Sequence, residues 1–405
     1  MKLPVYLDNS ATTPCDPGVV EAMLPYFGIH FGNPASRFHL YGWEAEDAVD
    51  NARKEIARLI GAKPAEIVFT SGATESCNLA IKGVLRSAPG KHRHIITFET
   101  EHKAVLESAD LMAQEGCEVT VLKVNNLGMP DLDDLEKAIR PSTVLISAMY
   151  ANNETGVLFP VKEIAGIAKR HSAVFFSDAT QAVGRIKVDV AADGIDLMAF
   201  TAHKMYGPKG VGALFIRSRD PAIGIRAQLS GGNHERGFRS GTLNVPGIVG
   251  FGKAALLSRN ESGADAVRLL NQRHKLEHAL LEIPGVYLNG DPVKRLPHVT
   301  SISISGIESE RILLYLSSKL AMSSGAACSS ATQEPSHVLK AMGIPGDLLH
   351  CSLRLSQGRS TTPDQIGFAI EEIKKAITRL RTEGSIDSST RLQPSSLSVL
   401  PEWRV

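Results

Sequence analysis

Between about residues 45 and 255, short apolar runs alternate with longer amphipathic stretches. The runs lie at 66–70, 94–97, 118–121, 143–147, 174–177, 197–201 and 212–216. They have strand length and are mostly apolar throughout, as strands buried on both faces are. The intervening stretches, such as 74–86, 102–115, 131–138 and 162–171, read as helices. A chain written this way folds into a largely parallel sheet covered by helices on both faces. Gly207-Pro208-Lys209-Gly210 predicts a tight return into an antiparallel strand at 212–216. Residues 247–280 predict one long helical connector, after which the texture changes. Short strands at 286–288, 300–304 and 352–356, with helices at 308–320 and 363–380, predict a smaller α+β domain. The expected organisation is a large α/β domain over 15–258, a small α+β domain built from 1–14 and 259–380, and a C-terminal tail at 381–405.

Composition narrows the function classes. Lys and Arg total 44 against 43 Asp and Glu, so no charge excess points to nucleic acid or a membrane surface. No apolar run reaches the length of a membrane span. The N-terminal residues lack the apolar core of a signal peptide, and the expected compartment is the cytoplasm. The five cysteines, Cys15, Cys77, Cys117, Cys328 and Cys351, are odd in number and contain no C-x-x-C pair. A disulfide framework or a structural metal site is therefore not expected.

The residues that carry chemistry sit just past strand ends, where open α/β sheets place their ligands. Lys204 follows the run at 197–201, Asp178 closes the run at 174–177, and Ser71-Gly72-Ala73-Thr74 follows the run at 66–70. Alone, these are a solvated lysine, a capping aspartate and an N-cap. Together they are a Schiff-base amine, an anion for a pyridinium nitrogen and a phosphate cradle at a helix N-terminus, which is what pyridoxal phosphate requires. Gln181, three residues after Asp178, is placed to donate to the ring oxygen. His102 after the run at 94–97 offers a ring to stack and an imidazole to move protons. Asn153 is either a plain turn residue or a contact to substrate or ring oxygen. Arg354 is either a surface strand arginine or a bidentate carboxylate ligand. The Gly- and Arg-rich stretch 231–242 is either a solvated loop or one that closes over an anion. Cys328 lies among Ser, Gly and Ala only, a setting that buries little apolar area and predicts an accessible, reactive thiol.

These motifs resemble those of the cysteine desulfurases of the IscS/NifS type, which are class V, fold-type I enzymes dependent on pyridoxal phosphate. The likeness runs from Tyr6 to about Leu380 and includes Gly32–Ser36, Thr70–Glu75, Thr100–Lys103, Asn152–Gly156, Asp178–Gln181, His203-Lys204, Arg239–Thr242 and Ser324–Cys328. The resemblance implies that Lys204 forms the Schiff base and carries the proton. Asp178 would pair with the ring nitrogen, Gln181 would contact the ring oxygen, and His102 would stack on the ring. Ala73, Thr74, Thr201 and His203 would hold the phosphate, with Thr242 arriving from a second subunit of a homodimer. Asn153 and Arg354 would orient the substrate, and Cys328 would be the nucleophile. The implied reaction converts L-cysteine to L-alanine, holds the sulfur as a persulfide on Cys328, and passes it to acceptor proteins such as an iron–sulfur scaffold. A related selenocysteine lyase-like enzyme and a non-catalytic partner in a sulfur pathway are the alternatives. One departure is Cys77, where relatives often carry Asp or Asn, and it is expected to be a packed thiol.

Overall fold

The computed structural model describes residues 2–90, 92–324 and 335–387. Along the chain the strands are β1 (Val5–Tyr6), β2 (Ile67–Thr70), β3 (His94–Phe98), β4 (Glu118–Leu122), β5 (Thr143–Ser147), β6 (Val174–Asp178), β7 (Leu197–Thr201), β8 (Gly212–Ile216), β9 (Val286–Leu288), β10 (Val299–Ile304), β11 (Leu320–Ala321), β12 (Ser323–Ser324) and β13 (Ser352–Ser356). Seven of them form one sheet in the order β2-β8-β7-β6-β5-β3-β4. β4, β3, β5, β6 and β7 run parallel, while β8 is antiparallel to both β7 and β2. The expected return strand after Lys204 is thus present. Fold class and sheet character are those that the alternation of apolar and amphipathic segments predicts.

The sheet is sealed on both faces. One core gathers Ile96, Ile146, Phe175, Met198, Phe200 and Phe215 under helices that include Leu40–Ile60 and Val161–Arg170. The other gathers Val68, Ile95, Leu145, Phe176, Leu197 and Leu214 under Ala73–Ser87 and Lys103–Gln114. Alternate residues of each strand go to opposite cores, as the two-residue period of a strand requires. Helix Leu40–Ile60 stops at Gly61, whose φ of 70° is the left-handed C-cap that glycine accepts without strain. The long helix Val245–Leu281 crosses it closely: a Cβ on Gly252 would lie 2.5 Å from Ala52 Cα.

A second sheet, ordered β12-β13-β10-β9, is antiparallel throughout. Its core unites Ile302, Ile304, Leu353 and Leu355 with Ile366, Ile370 and Ile373 of helix Pro363–Asp387, and with Val5 and Leu7 from the N-terminal segment. β1 reaches this region by pairing in parallel with β11. Two expected boundaries move. The helix expected at 308–320 is Ser309–Leu316, since β11 begins at Leu320. The last helix continues through Asp387, so residues 381–387 are helical rather than part of a tail.

Candidate active site

The C-terminal ends of the parallel strands converge on a cavity of about 580 Å³. Its walls bring together residues from far apart in sequence: Ala73, Thr74, His102, Asn153, Asp178, Gln181, Thr201, His203, Lys204 and Arg354. Thr242 does not line it and is exposed. Cys328 lies outside the described residues.

Lys204 ends a short turn, Ala202–Lys204, directly after β7. Its ammonium donates to the carbonyls of Ser10 and, at 2.8 Å, Ala11. The segment around residues 10–13 therefore forms part of the site. Gln181 Nε2 donates to Ser10 O at 3.0 Å, and Thr13 Oγ1 donates to His203 O at 2.9 Å. The His203 ring faces Thr12 Oγ1 at 3.1 Å. Burial, with the charges of Lys204 and Lys209 added, pushes this imidazole down to about 4, so it is neutral at physiological pH.

Asp178 closes β6, is buried, and accepts the Thr180 N–H at 3.0 Å on Oδ1. No helix follows, so it is not a helix cap. Its Oδ2 lies 3.8 Å from Cys77 Sγ. Cys77 is packed as expected, but it also lines the cavity. Burial, then the Asp178 carboxylate, push its thiol well up. His102 is the N-cap of Lys103–Gln114. Its Nδ1 accepts the Ala104 N–H at 3.1 Å, which leaves the proton of the neutral ring on Nε2.

The turn after β2 opens helix Ala73–Ser87 with Gly72 at the N-cap and no side chain capping it. Neither Ser71 nor Thr74 takes the capping role that an N-cap reading assigns them. The first turn of the helix lines the cavity, and a helix N-terminus favours a dianion there. A Cβ on Gly72 would meet nothing within 4 Å, so that side of the turn is open space. The cavity thus presents an amine, a buried carboxylate, a ring and an uncapped helix N-terminus, and this donor set fits pyridoxal phosphate.

Arg354 is a central strand residue of β13 with 1% exposure, not a surface arginine. One guanidinium nitrogen donates to Asn153 O at 3.0 Å, and the other to Asp8 Oδ1 at 2.8 Å and Ser323 Oγ at 3.1 Å. Among the described residues its Nε has no partner. Asn153 follows Asn152, whose Oδ1 accepts the N–H groups of Glu154 and Thr155 at 2.9 Å each, so the turn is fixed from within.

The stretch 231–242 does not close over its own chain's cavity. Buried Glu235 instead pairs with Arg53 at 2.7 Å and accepts the Phe69 N–H. Arg239 Nε donates to Glu75 at 2.9 Å, and Glu75 holds the Ser71 N–H at 2.7 Å. Sequence reasoning assigned no role to Asp8, Ser10, Ala11, Lys209 or Glu75. Their partners lie elsewhere in the chain, and their positions were marked only by the start of the likeness at Tyr6, the Thr70–Glu75 motif and the Gly-Pro-Lys-Gly turn.

Fold and site together define a fold-type I enzyme dependent on pyridoxal phosphate. The aminotransferase class-V pattern matches residues 5–367. Cysteine desulfurase IscS of Anaeromyxobacter dehalogenans (strain 2CP-C) is 49% identical over 382 residues, 94% of each chain. A solved structure titled NIFS-like protein is 34% identical with a TM-score of 0.86, covering 94% of this chain and all of that one. Another, titled SspA in complex with cysteine, is 33% identical with a TM-score of 0.76, covering 87% of this chain and 98% of that one. The chain belongs to the class-V aminotransferase family, on its IscS/NifS-type cysteine desulfurase branch.

Proposed function

We propose that this chain is a cysteine desulfurase that converts L-cysteine to L-alanine and holds the sulfur as a persulfide on Cys328. The observation that carries this reading is one cavity lined by Lys204, Asp178, His102 and Arg354 beside an uncapped helix N-terminus. Identity of 49% to a desulfurase over almost the whole chain supports it, as does a relative whose title records bound cysteine.

Pyridoxal phosphate, when bound, supplies the electron sink that acidifies the substrate Cα–H. Ala73, Thr74, Thr201 and neutral His203 would hold its phosphate, Asp178 its ring nitrogen, and Gln181 and Asn153 its ring oxygen. Thr242 of a second copy would complete the phosphate site. Arg354 binds the substrate carboxylate with its planar fork. The Lys204 amine takes the Cα proton and returns it, and His102 assists this transfer from beside the ring. The Cys328 thiolate attacks the substrate sulfur: a sulfur–sulfur bond forms and the carbon–sulfur bond breaks. The electron pair stays on substrate carbon, which a proton then converts to alanine. The persulfide passes to acceptor proteins, with an iron–sulfur scaffold as the proposed recipient.

The proposed organisation keeps 15–258 as one unit and 1–14 with 259–380 as the other. Val5 and Leu7 sharing a core with Leu353 and Ile370 supports that division. The proposed tail shrinks to 388–405, which lies outside the described residues. No helix among the described residues is long and apolar enough to cross a membrane. The cytoplasm is the proposed compartment, since its reductants keep the Cys328 thiol available.

Parent enzyme and Cys328→Ala, each given L-cysteine and a reductant, test the reading. Equimolar alanine and sulfide from the parent, abolished in the variant, are expected. Turnover untouched by the substitution would overturn the role of Cys328.

A further inference from the structure

Two of the first described residues after the segment that carries Cys328 are tied to neighbours in sequence of the cavity-lining Asn153 and His102. Ser336 Oγ donates to Glu154 Oε2 at 2.5 Å and accepts the Leu339 N–H at 3.1 Å, so it also caps helix His337–Ala341. His337 Nε2 lies 2.9 Å from the backbone oxygen of Glu101, next in sequence to His102. Both Glu154 and Ser336 are buried, at 4% and 3% exposure.

Glu154 is well placed to transmit position. Its backbone N–H is fixed by Asn152, and the carbonyl of the preceding residue, Asn153, accepts from Arg354. Burial pushes its carboxyl up to about 7, against the pull of Ser336, Arg354 and His102. A carboxyl kept in so dry a place is costly to bury, and among the described residues its side chain is held by Ser336.

We infer that Glu154 is a positioning residue for sulfur abstraction: through Ser336 it anchors the chain leaving the Cys328 segment to the turn that also holds Arg354. The anchor fixes the first described residues beyond the Cys328 segment to the turn that holds the substrate's carboxylate ligand, and so sets the point from which the thiol must reach the target sulfur. The inference rests on the proposed role of Cys328. Removal of the Cα proton needs Lys204 but not the anchor, and this separates the two steps.

The test uses holoenzyme with L-cysteine in deuterated buffer, reading deuterium entry at the substrate Cα and alanine formed in a single turnover. Ser336→Asp keeps a capping oxygen but sets a second carboxylate against Glu154; Ser336→Thr keeps both cap and tether. Glu154→Ala removes the acceptor. Ser336→Asp and Glu154→Ala are expected to retain Cα exchange within about twofold while alanine formation falls about tenfold or more. Ser336→Thr is expected to match the parent. Parent-like alanine formation in Ser336→Asp, or exchange and alanine falling in step, would overturn the anchor. Cys328→Ala, run alongside, should exchange without making alanine. Alanine from that variant would overturn the Cys328 reading and this inference with it, whereas an inactive Cys328→Ala beside a parent-like Ser336→Asp overturns the anchor alone.

Discussion

Asp178 and Cys77 in the cavity wall and Glu101 behind it are all buried, and both carboxylates act on the Cys77 thiol. Glu101 Oε1 accepts the Met149 N–H, and among the described residues its Oε2 has no partner. Burial, reinforced by the Asp178 carboxylate, raises Glu101 from 4.5 to about 8. A carboxyl whose pKa is higher folded than unfolded binds more protons when folded. Its contribution is therefore full below about 4.5 and is lost as pH rises through about 8. Denaturation midpoints of the parent are expected to fall across this window, and Glu101→Gln, which still accepts the Met149 N–H, is expected to flatten the fall. Midpoints that decline equally in both proteins would count against it. Lys204, Asp178, His102 and Arg354 were legible because their positions after, or within, apolar runs can be read locally. Glu101, Glu154 and Asp8 were not, because their roles come from residues brought near only by folding.

At the scale of elements, the phosphate turn depends on how closely β8 passes it. A Cβ on Gly212 would lie 2.7 Å from Gly72 Cα and 2.9 Å from the Phe200 oxygen, all backbone atoms that cannot swing aside. Gly212→Ala is therefore expected to displace the turn and weaken pyridoxal phosphate binding about tenfold or more, the loss of one charge-assisted contact. Equilibrium dialysis measures this, and far-ultraviolet circular dichroism should stay unchanged. Unaltered cofactor affinity would contradict the close passage. Six strands of the large sheet were legible because each is buried on both faces and so reads as a mostly apolar run. β4 at the sheet edge is the exception, with a half-exposed pattern, yet its alternation of valines still marks it. Helix Leu40–Ile60 was harder to see, since small alanines fill much of its buried face where it meets the long helix. The end of the last helix was not legible because, beyond Leu380, residues 381–385 are polar or small and interrupt the apolar stripe that would mark a continuing helix.

The whole molecule leaves a concentrated apolar surface. Leu24, Phe27, Ile29, Phe31, Phe38 and Trp43 are each at least half exposed, Phe38 at 96%. Such density within 20 residues exceeds the scattered apolar exposure of ordinary monomers. A second copy of the chain is the proposed cover, and the same assembly would carry Thr242 to its neighbour's phosphate. Sedimentation equilibrium is expected to give twice the chain mass for the parent. Phe27→Glu with Phe38→Glu should give a monomer that holds pyridoxal phosphate more weakly. A monomeric parent would remove both the dimer and the shared site.

The central claim is that sulfur leaves L-cysteine for the thiol of Cys328. Its most direct test is intact-mass and peptide mass spectrometry of the holoenzyme after brief exposure to L-cysteine without reductant. One additional sulfur atom on the peptide containing Cys328, removed by reductant and accompanied by one alanine, is the predicted result. Alanine formed with Cys328 unmodified, or the extra sulfur found on Cys15 or Cys77 instead, would contradict it.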